Sequence, residues 1–402
     1  MAQKSASAAS ISKVKRIAVL VMTYAAGPTM TCRVAPMAKR LRPMGIDLTI
    51  FALSESFLTV KETMIDGENV RLIGQAHFRK GSDGKKIRFG PSRYFREVLK
   101  TLQCFRTELN AGHFDLVQVF TTDPGALFIA LSLRFSGYRV ALDVDDSTYG
   151  MGVMAGYPKP ILWVQWLLEN YAPRFFQPLS GATFSRAKQY PGLTRLPIPI
   201  STEGYFRENP PCSQADITVI MVGNMAAPHL HLQVVDAIPK IIRENPKVRF
   251  CFVGTGERFQ KIKERVNALG INSSVDLPGY LSREETVRRM CAADIGICPM
   301  SDNPFDRSRL PMKILEYMAA GLCIVSAPIG EVPNIIQHGK NGWFYRPDDM
   351  EDFAQAILTL ASQPELVQRL SNQALQDARI YGPDLAEEIW YRFYEKAAQW
   401  DK

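Results

Sequence analysis

The sequence has no apolar run long enough to cross a membrane. Its longest apolar stretches, such as ALFIALSL at 126–133, fall short of the ~20 residues that a spanning helix needs. Residues 1–12 are small and polar and lack the apolar core of an export signal. We therefore expect a cytoplasmic protein with neither a membrane span nor a secretion signal.

Cysteine is sparse and irregularly placed. The seven cysteines are odd in number and show no C-x-x-C spacing, which argues against both a disulfide framework and a zinc site. The composition, 46% hydrophobic and 22% charged, is that of a globular chain. A chain of 402 residues suits two domains of about 200 residues better than one core.

Excess positive charge is confined to one half of the chain. Residues 1–205 contain 26 Lys and Arg against 15 Asp and Glu, whereas residues 206–402 contain 22 against 25. Within the basic half, residues 71–106 carry ten basic and two acidic residues. A cluster of this kind predicts either an anionic partner or a solvated face.

Strand and helix patterns alternate in both halves. Continuous apolar runs that predict buried strands lie at 16–24, 47–54, 114–121, 138–146, 217–223, 248–254, 274–279, 295–300 and 323–328, with weaker closing strands at 181–186 and 193–199. Amphipathic helices separate them, as in parallel sheets covered on both faces. The pattern predicts an α/β protein of two Rossmann-like, doubly wound domains that face a cleft.

The predicted domain boundary lies in a linker, ISTEGYFRENPP at 200–211. We expect a flexible tail at 1–14, a first domain at 15–203 and a second domain at 204–380. The segment 381–402 carries an aromatic stripe and is predicted to form a helix that packs back on the first domain.

One predicted helix of the second half carries polar residues beside its apolar stripe. In PMKILEYMAAG (311–321), Lys313 and Glu316 lie three residues apart between a proline start and a glycine stop. The surrounding run, with E-Y-M-A-x-G at 316–321 and G-x-N-G-W at 339–343, resembles the nucleotide-sugar-binding domain of GT-B glycosyltransferases of the retaining family 4 (group 1). The resemblance covers about residues 215–378.

The resemblance implies roles for this helix. A glutamate at the position of Glu316 binds the donor's ribose hydroxyls, and basic residues neutralise its diphosphate. A helix N-terminus also favours a phosphate, so Lys313, Arg309 and Arg307 are the candidates for the second task. The alternative is an ordinary surface ion pair between Lys313 and Glu316.

Other donor-site candidates follow the predicted strands, and some depart from the family pattern. The further candidates are Gly27, Gly223, Asn224, Gly254, Tyr280 and Ser308. Ser308 stands where the family has a glutamate that contacts the transferred sugar. After the first strand of the second domain, only His229 and His231 replace the usual Arg and Lys.

The strand end LDVDDST (142–148) is the catalytic candidate of the first half, where Asp145 occupies the position of a histidine in many relatives. Three interpretations remain open: a carboxylate that orients donor or acceptor sugar, a cap of the following turn, or a metal-binding D-x-D of the kind found in the unrelated GT-A fold. No metal is expected, because GT-B sites stabilise the leaving diphosphate with basic residues and helix dipoles. No cofactor is expected beyond the nucleotide sugar as co-substrate.

The basic cluster includes a helix at 91–109 with Arg93, Arg96 and Lys100 on one face. Phe95, Val98, Leu99, Leu102 and Phe105 are predicted to point inward. The face suits an anionic membrane or acceptor, a solvated surface, or nucleic acid, for which no binding motif is present. The aromatic run at 160–176 is predicted either to insert beside it or to belong to the core.

The resulting hypothesis is a retaining, metal-independent hexosyltransferase. It would move a sugar from a nucleotide sugar to a lipid-linked or polysaccharide acceptor, in cell-surface glycan assembly, peripherally on the inner face of the membrane. The alternatives are a non-catalytic GT-B-fold protein that binds a nucleotide or glycan, and a nucleotide-sugar epimerase.

Overall fold

The computed structural model describes residues 16–24, 29–54, 62–76, 78–80, 86–144, 147–198, 216–226 and 230–399. These residues form two α/β domains, each built around one mainly parallel sheet with helices on both faces. The predicted fold class is therefore confirmed.

The first sheet has the strand order β10-β9-β8-β7-β1-β2-β4-β3, with the antiparallel pair β3–β4 at one edge. Its strands, together with the separate hairpin β5–β6, are β1 Arg16–Tyr24, β2 Asp47–Ser54, β3 Glu62–Ile65, β4 Glu68–Gln75, β5 Phe78–Lys80, β6 Lys86–Arg88, β7 Leu116–Phe120, β8 Val140–Asp143, β9 Leu179–Gly181 and β10 Thr194–Arg195.

The helices of this domain are α1 Ala35–Leu41, α2 Pro91–Gly112, α3 Pro124–Phe135, α4 Thr148–Met154, α5 Lys159–Tyr171 and α6 Phe184–Gln189. A π-helical turn, Thr29–Val34, precedes α1, and 3₁₀ turns follow α1 and α5 at Arg42–Met44 and Ala172–Phe175. α2, α3 and the end of α5 pack on one face of the sheet, whereas α1 packs on the other.

The second sheet is fully parallel, with the order β13-β12-β11-β14-β15-β16. Its strands are β11 Ile217–Val222, β12 Val248–Val253, β13 Val275–Gly279, β14 Ile295–Cys298, β15 Cys323–Ser326 and β16 Trp343–Phe344. Its helices are α7 His231–Glu244, α8 Phe259–Ala268, α9 Arg283–Ala292, α10 Met312–Ala319, α11 Val332–Ile335, α12 Met350–Ala361 and α13 Pro364–Ala378, with 3₁₀ turns at Asn272–Ser274 and Arg379–Tyr381.

The last helix, α14 Pro383–Gln399, returns to the first domain. Trp390, Phe393 and Tyr394 are buried in the core on the α1 face of the first sheet. The Trp390 indole N–H donates to the Pro197 carbonyl at 3.2 Å, and the Tyr394 hydroxyl bonds the Gln118 side chain. The aromatic stripe therefore joins the chain's end to its first half.

Two local predictions were wrong. The closing strand predicted at 181–186 ends at Gly181, because Thr183 caps a helix that begins at Phe184; its hydroxyl accepts from the Arg186 N–H at 3.4 Å. Phe95 and Leu99 do not point inward but are 52% and 37% exposed.

The reason for the second error is the width of the buried stripe of α2. The helix buries Val98, Thr101, Leu102, Phe105 and Leu109, which form one narrow stripe. Phe95 lies beside this stripe and contacts another half-exposed ring, Phe128 of α3, at a centroid distance of 5.6 Å.

Among the described residues, every helix is too short or too polar to span a bilayer.

Candidate active site

The carboxyl ends of the two sheets meet at a contact between the domains. The backbone N–H of Ser147, which caps α4, donates to Ser308 Oγ at 3.3 Å. Gly150 lies so close to the Pro304 backbone that a Cβ there would be 2.9 Å from its carbonyl oxygen. In doubly wound folds ligands bind beyond the carboxyl ends of the strands, so this cleft is the natural site.

The helix α10 is built into the floor of the second domain. It begins after Pro311 and is followed by Gly321, whose positive φ of +69° suits a residue without a side chain. Tyr317 is fully buried against Gly296, and its hydroxyl accepts the Val222 N–H at 2.8 Å. These contacts fix the rotation of the helix about its axis and hence the direction of its polar residues.

Lys313 points from α10 to the turn after β11. A Cβ on Gly223 would lie 3.1 Å from the Nζ of Lys313, so the ammonium approaches this glycine closely. Burial lowers the pKa of Lys313, and the positive charge of Arg309 lowers it further, whereas Glu316 and Asp306 act in the opposite direction. A half-buried ammonium with this balance is stabilised by an incoming anion.

Glycine turns form the surface beneath Lys313. Gly223 and Gly254 have φ of +138° and +133°, and a Cβ on Gly254 would overlap the Gly223 carbonyl oxygen. A Cβ on Gly256 would collide with the side-chain oxygen of Asn224. The turns after β11 and β12 therefore stack directly, and this close approach requires glycine.

His231 does not supply the positive charge for which the sequence made it a candidate. Burial lowers its pKa to about 3, helped by the nearby charges of Lys313 and Arg258, so the imidazole is neutral at neutral pH. Its sequence neighbour His229 lies outside the described residues, as do Gly27 and Asp145.

Arg258 is a residue that the sequence reasoning missed. It is half-buried, and its backbone N–H donates to the Met225 carbonyl at 2.9 Å. Its positive charge helps to lower the pKa of His231. It therefore adds a second cation near Lys313. An arginine that opens a helix after the glycine turn V-G-T-G is the signal that could have identified it.

Arg307 and Arg309 are bound by carboxylates of their own loop. Arg309 Nε donates to Asp306 Oδ1 at 2.6 Å, in a pair that is almost fully buried. Arg307 makes a two-bond ion pair with Asp302 on the surface, at 2.5 and 2.8 Å. Arg309 lies close enough to Lys313 to lower its pKa, whereas Ser308 lies at the contact between the domains.

Glu316 faces the first domain. Burial raises the pKa of the Cys32 thiol in the π-helical turn Thr29–Val34, and the charge of Glu316 raises it further, while Arg283 at the start of α9 lowers it. Tyr280, at the end of β13, is 80% exposed. Glu316 and the turn Thr29–Val34 thus border the cleft from opposite sides.

A buried ion pair forms the floor on the side of the first domain. Asp143, at the end of β8, accepts two bonds from Arg33, at 2.9 and 3.0 Å, and one from Ser180 Oγ at 2.6 Å. At the end of β7, Thr121 holds a φ of +83°, which is strained for a β-branched residue. The sequence reasoning had singled out the acidic run but not Arg33.

The basic face of α2 is exposed. Lys100 is paired with Glu97 at 3.1 Å, the Arg93 guanidinium stacks 4.0 Å from the Phe89 ring, and Arg96 is exposed. In the part of the chain that the structure describes, no group of three or more His, Cys, Asp or Glu side chains could hold a metal ion.

Comparison with known families identifies the second domain. Residues 216–363 match the family model described as glycosyl transferases group 1. This part of the chain is a group 1 glycosyltransferase domain. The match includes α10 with Lys313 and Glu316 and ends between α12 and α13, so the resemblance expected from the sequence is confirmed.

The chain is also similar to curated proteins. The chain is 26% identical over 213 residues to an exopolysaccharide phosphotransferase of Streptomyces coelicolor, covering 52% of this chain and 21% of the relative. It is 27% identical over 113 residues to an amylovoran biosynthesis glycosyltransferase of Erwinia amylovora, covering 28% of each chain. The chain thus spans about a fifth and just over a quarter of the length of these two relatives.

Solved structures match the whole fold. Sucrose-phosphate synthase from Thermosynechococcus elongatus superposes with a TM-score of 0.74 at 12% identity, covering 95% of this chain and 98% of that one. The Anabaena protein HepE, solved in complex with UDP-glucose, gives a TM-score of 0.67 at 15% identity and covers 94% and 98%. The two-domain fold around the group 1 domain is therefore GT-B.

Proposed function

We infer that this protein transfers a sugar, with retention of configuration, from a nucleotide-sugar donor to a lipid-linked or polysaccharide acceptor. The observation that carries the proposal is the position of Lys313. Its ammonium lies over the stacked glycine turns of Gly223 and Gly254, at the carboxyl end of the sheet of a group 1 glycosyltransferase domain. Such a cradle suits a diphosphate, which needs close backbone approach and positive charge.

The chemistry assigned to the donor side is positioning and charge stabilisation. Lys313 neutralises the departing diphosphate, with Arg258 and Arg309 nearby, in a site where burial strengthens each charge. Glu316 holds the ribose hydroxyls. Gly223, Asn224 and Gly254 line the diphosphate, whereas Tyr280 borders the donor entrance.

The acceptor side belongs to the first domain. Ser147, which caps α4 in this domain, contacts Ser308 of the second domain. We assign Asp145 and Ser308 to orientation of the reacting sugars, and Gly27 to close approach of the backbone to the donor phosphate. The relatives' names mention exopolysaccharide and amylovoran biosynthesis, which supports a cell-surface glycan as the product.

The proposal also includes work at a membrane surface. Arg93, Arg96 and Lys100 give the first domain an outward basic face, and residues 1–205 carry the chain's net positive charge. An anionic inner leaflet attracts such a face, and this attraction weakens as salt rises.

Product analysis tests the proposal. The purified protein is incubated with isotope-labelled UDP-glucose and other nucleotide sugars, with and without a membrane lipid extract as acceptor. We expect label in an organic-extractable or polymeric product only when acceptor is present. Conversion of the donor sugar to its epimer without acceptor would instead identify an epimerase, and no product with any donor would favour a binding protein.

A further inference from the structure

The helix α5 of the first domain has a reversed pattern of burial. Among its thirteen residues, the buried side chain is a carboxylate, Glu169. Its apolar side chains Ile161, Trp163, Val164, Trp166 and Tyr171 are all more than two-fifths exposed, with Trp163 at 62%. An indole rarely faces water without a reason, whereas a glutamate is seldom buried unless it is held by partners.

Glu169 explains how the helix is held in this orientation. Its carboxylate accepts from Ser147 Oγ at 3.0 Å, from the Tyr149 N–H at 3.0 Å and from Arg186 Nη2 at 2.5 Å. These bonds tie α5 to the start of α4 on one side and to α6 on the other. The exposed rings are therefore a fixed feature of the fold, and the same bonds connect them to Ser147 at the cleft edge.

The segment that carries the exposed rings, residues 147–198, has exposed charges of one sign. Residues 147–198 contain a single acidic residue, Glu169, which is buried, whereas Lys159 and Arg174 are exposed at the two ends of α5. The Arg174 guanidinium lies 5.2 Å from the centroid of the Tyr171 ring. The surface thus combines aromatic rings with flanking cations.

The neighbouring helices continue this surface. α3 packs against both α2 and α5, so the three helices form one layer on the sheet. Phe95 of α2 and Phe128 of α3 expose contacting rings, beside Arg96 of the basic face. The aromatic and basic groups therefore lie on the same outer side of the first domain.

We propose that α5 lies in the plane of an anionic bilayer, with Trp163, Trp166 and the nearby Phe175 in the headgroup boundary. Aromatic rings favour this boundary, and exposed cations beside them favour anionic lipids. A second copy of the chain fits less well, because a two-fold interface through α5 would bring the cations Lys159 and Arg174 of one copy against those of the other. The proposal rests on the proposed function, since it brings the cleft edge at Ser147 to a lipid-linked acceptor.

The test uses the full chain and vesicles made either of phosphatidylcholine or of equal parts phosphatidylcholine and phosphatidylglycerol. The double variant Trp163→Ser/Trp166→Ser is compared with Met64→Ser/Ile380→Ser, which removes two exposed apolar side chains elsewhere, 64% and 60% exposed. We expect the unmodified protein to bind anionic vesicles more tightly than neutral ones, and less tightly as salt rises. Each indole removed should lower the partition coefficient about tenfold, and the Met64/Ile380 control should bind normally.

Equal binding by the Trp163/Trp166 variant and its control would overturn the proposal. So would failure of the unmodified protein to bind either vesicle, or a concentration-dependent dimer that disappears in the Trp163/Trp166 variant. Transfer to a water-soluble acceptor fragment is measured in parallel. Transfer retained without vesicle binding would refute the bilayer contact alone, whereas vesicle binding without any transfer would refute the proposed function alone.

Discussion

Replacing Lys313 with alanine is expected to lower the turnover rate of sugar transfer about a hundredfold to a thousandfold. The ammonium lies over Gly223 at the proposed diphosphate site, and charge on the diphosphate grows as the sugar departs. Losing a group that acts mainly on the transition state lowers turnover more than donor binding. Steady-state kinetics with the identified donor measure both quantities.

The fold of this variant should remain close to that of the parent. α10 keeps Pro311, Gly321 and its buried stripe, so we expect the free energy of unfolding to change by no more than about 1 kcal/mol. Glu316→Gln on the same helix serves as the matched comparison, because a ribose contact exists before and during transfer. Glu316→Gln should weaken donor binding more than it lowers the turnover rate. Full activity in both variants would show that α10 has a purely structural role.

Replacing Asp143 with asparagine is expected to destabilise the protein by about 3–5 kcal/mol. The carboxylate is fully buried and holds both Arg33 and Ser180. Asparagine keeps the size of the side chain but removes the negative charge that two bonds from Arg33 hold in the core. Chemical denaturation, followed by circular dichroism, measures the loss.

Two further variants separate charge burial from other effects. Asp384→Asn removes a carboxylate that is almost fully exposed and pairs with Arg40 at 3.4 Å, so it should change stability by less than about 1 kcal/mol. The double variant Arg33→Met/Asp143→Asn should recover part of the loss, because no unpaired charge remains. Equal stability of Asp143→Asn and the parent would show that the pair does not support the cleft floor.

Features set by local sequence were predicted well. The strands Arg16–Tyr24 and Asp47–Ser54 have the bounds expected from their apolar runs, because a strand buried on both faces is continuously apolar. The start and end of α10 follow from Pro311 and Gly321, which act within one turn. The motif around Glu316 was recognisable because its spacing lies within a single helix.

Features set by distant contacts were not predicted. Arg33 and Asp143 are separated by 110 residues, and their pairing depends on how β8 lies beside the turn before α1. The neutrality of His231 arises from burial and from two cations on other elements. Neither effect leaves a pattern in the local sequence.

The helix α5 shows a further limit of sequence patterns. Its apolar residues are compatible with a core helix, because hydrophobic periodicity does not reveal whether a second layer covers the helix. In the fold, α5 packs against α4 through Leu162, Gln165 and Glu169, while Trp163 and Trp166 remain exposed. On α2, Phe95 and Leu99 were misplaced because the buried stripe of the helix is narrower than its hydrophobic pattern suggests.

The central claim, a nucleotide-sugar site at α10, is tested most directly by thermal denaturation with UDP, GDP, ADP and CMP and their sugar conjugates. We predict that one nucleotide, at about a hundred times its dissociation constant, adds roughly 2.7 kcal/mol of stability and raises the midpoint by several degrees. The same nucleotide should give a smaller shift with Glu316→Gln. An unchanged midpoint with every nucleotide, in the unmodified protein, would contradict the claim.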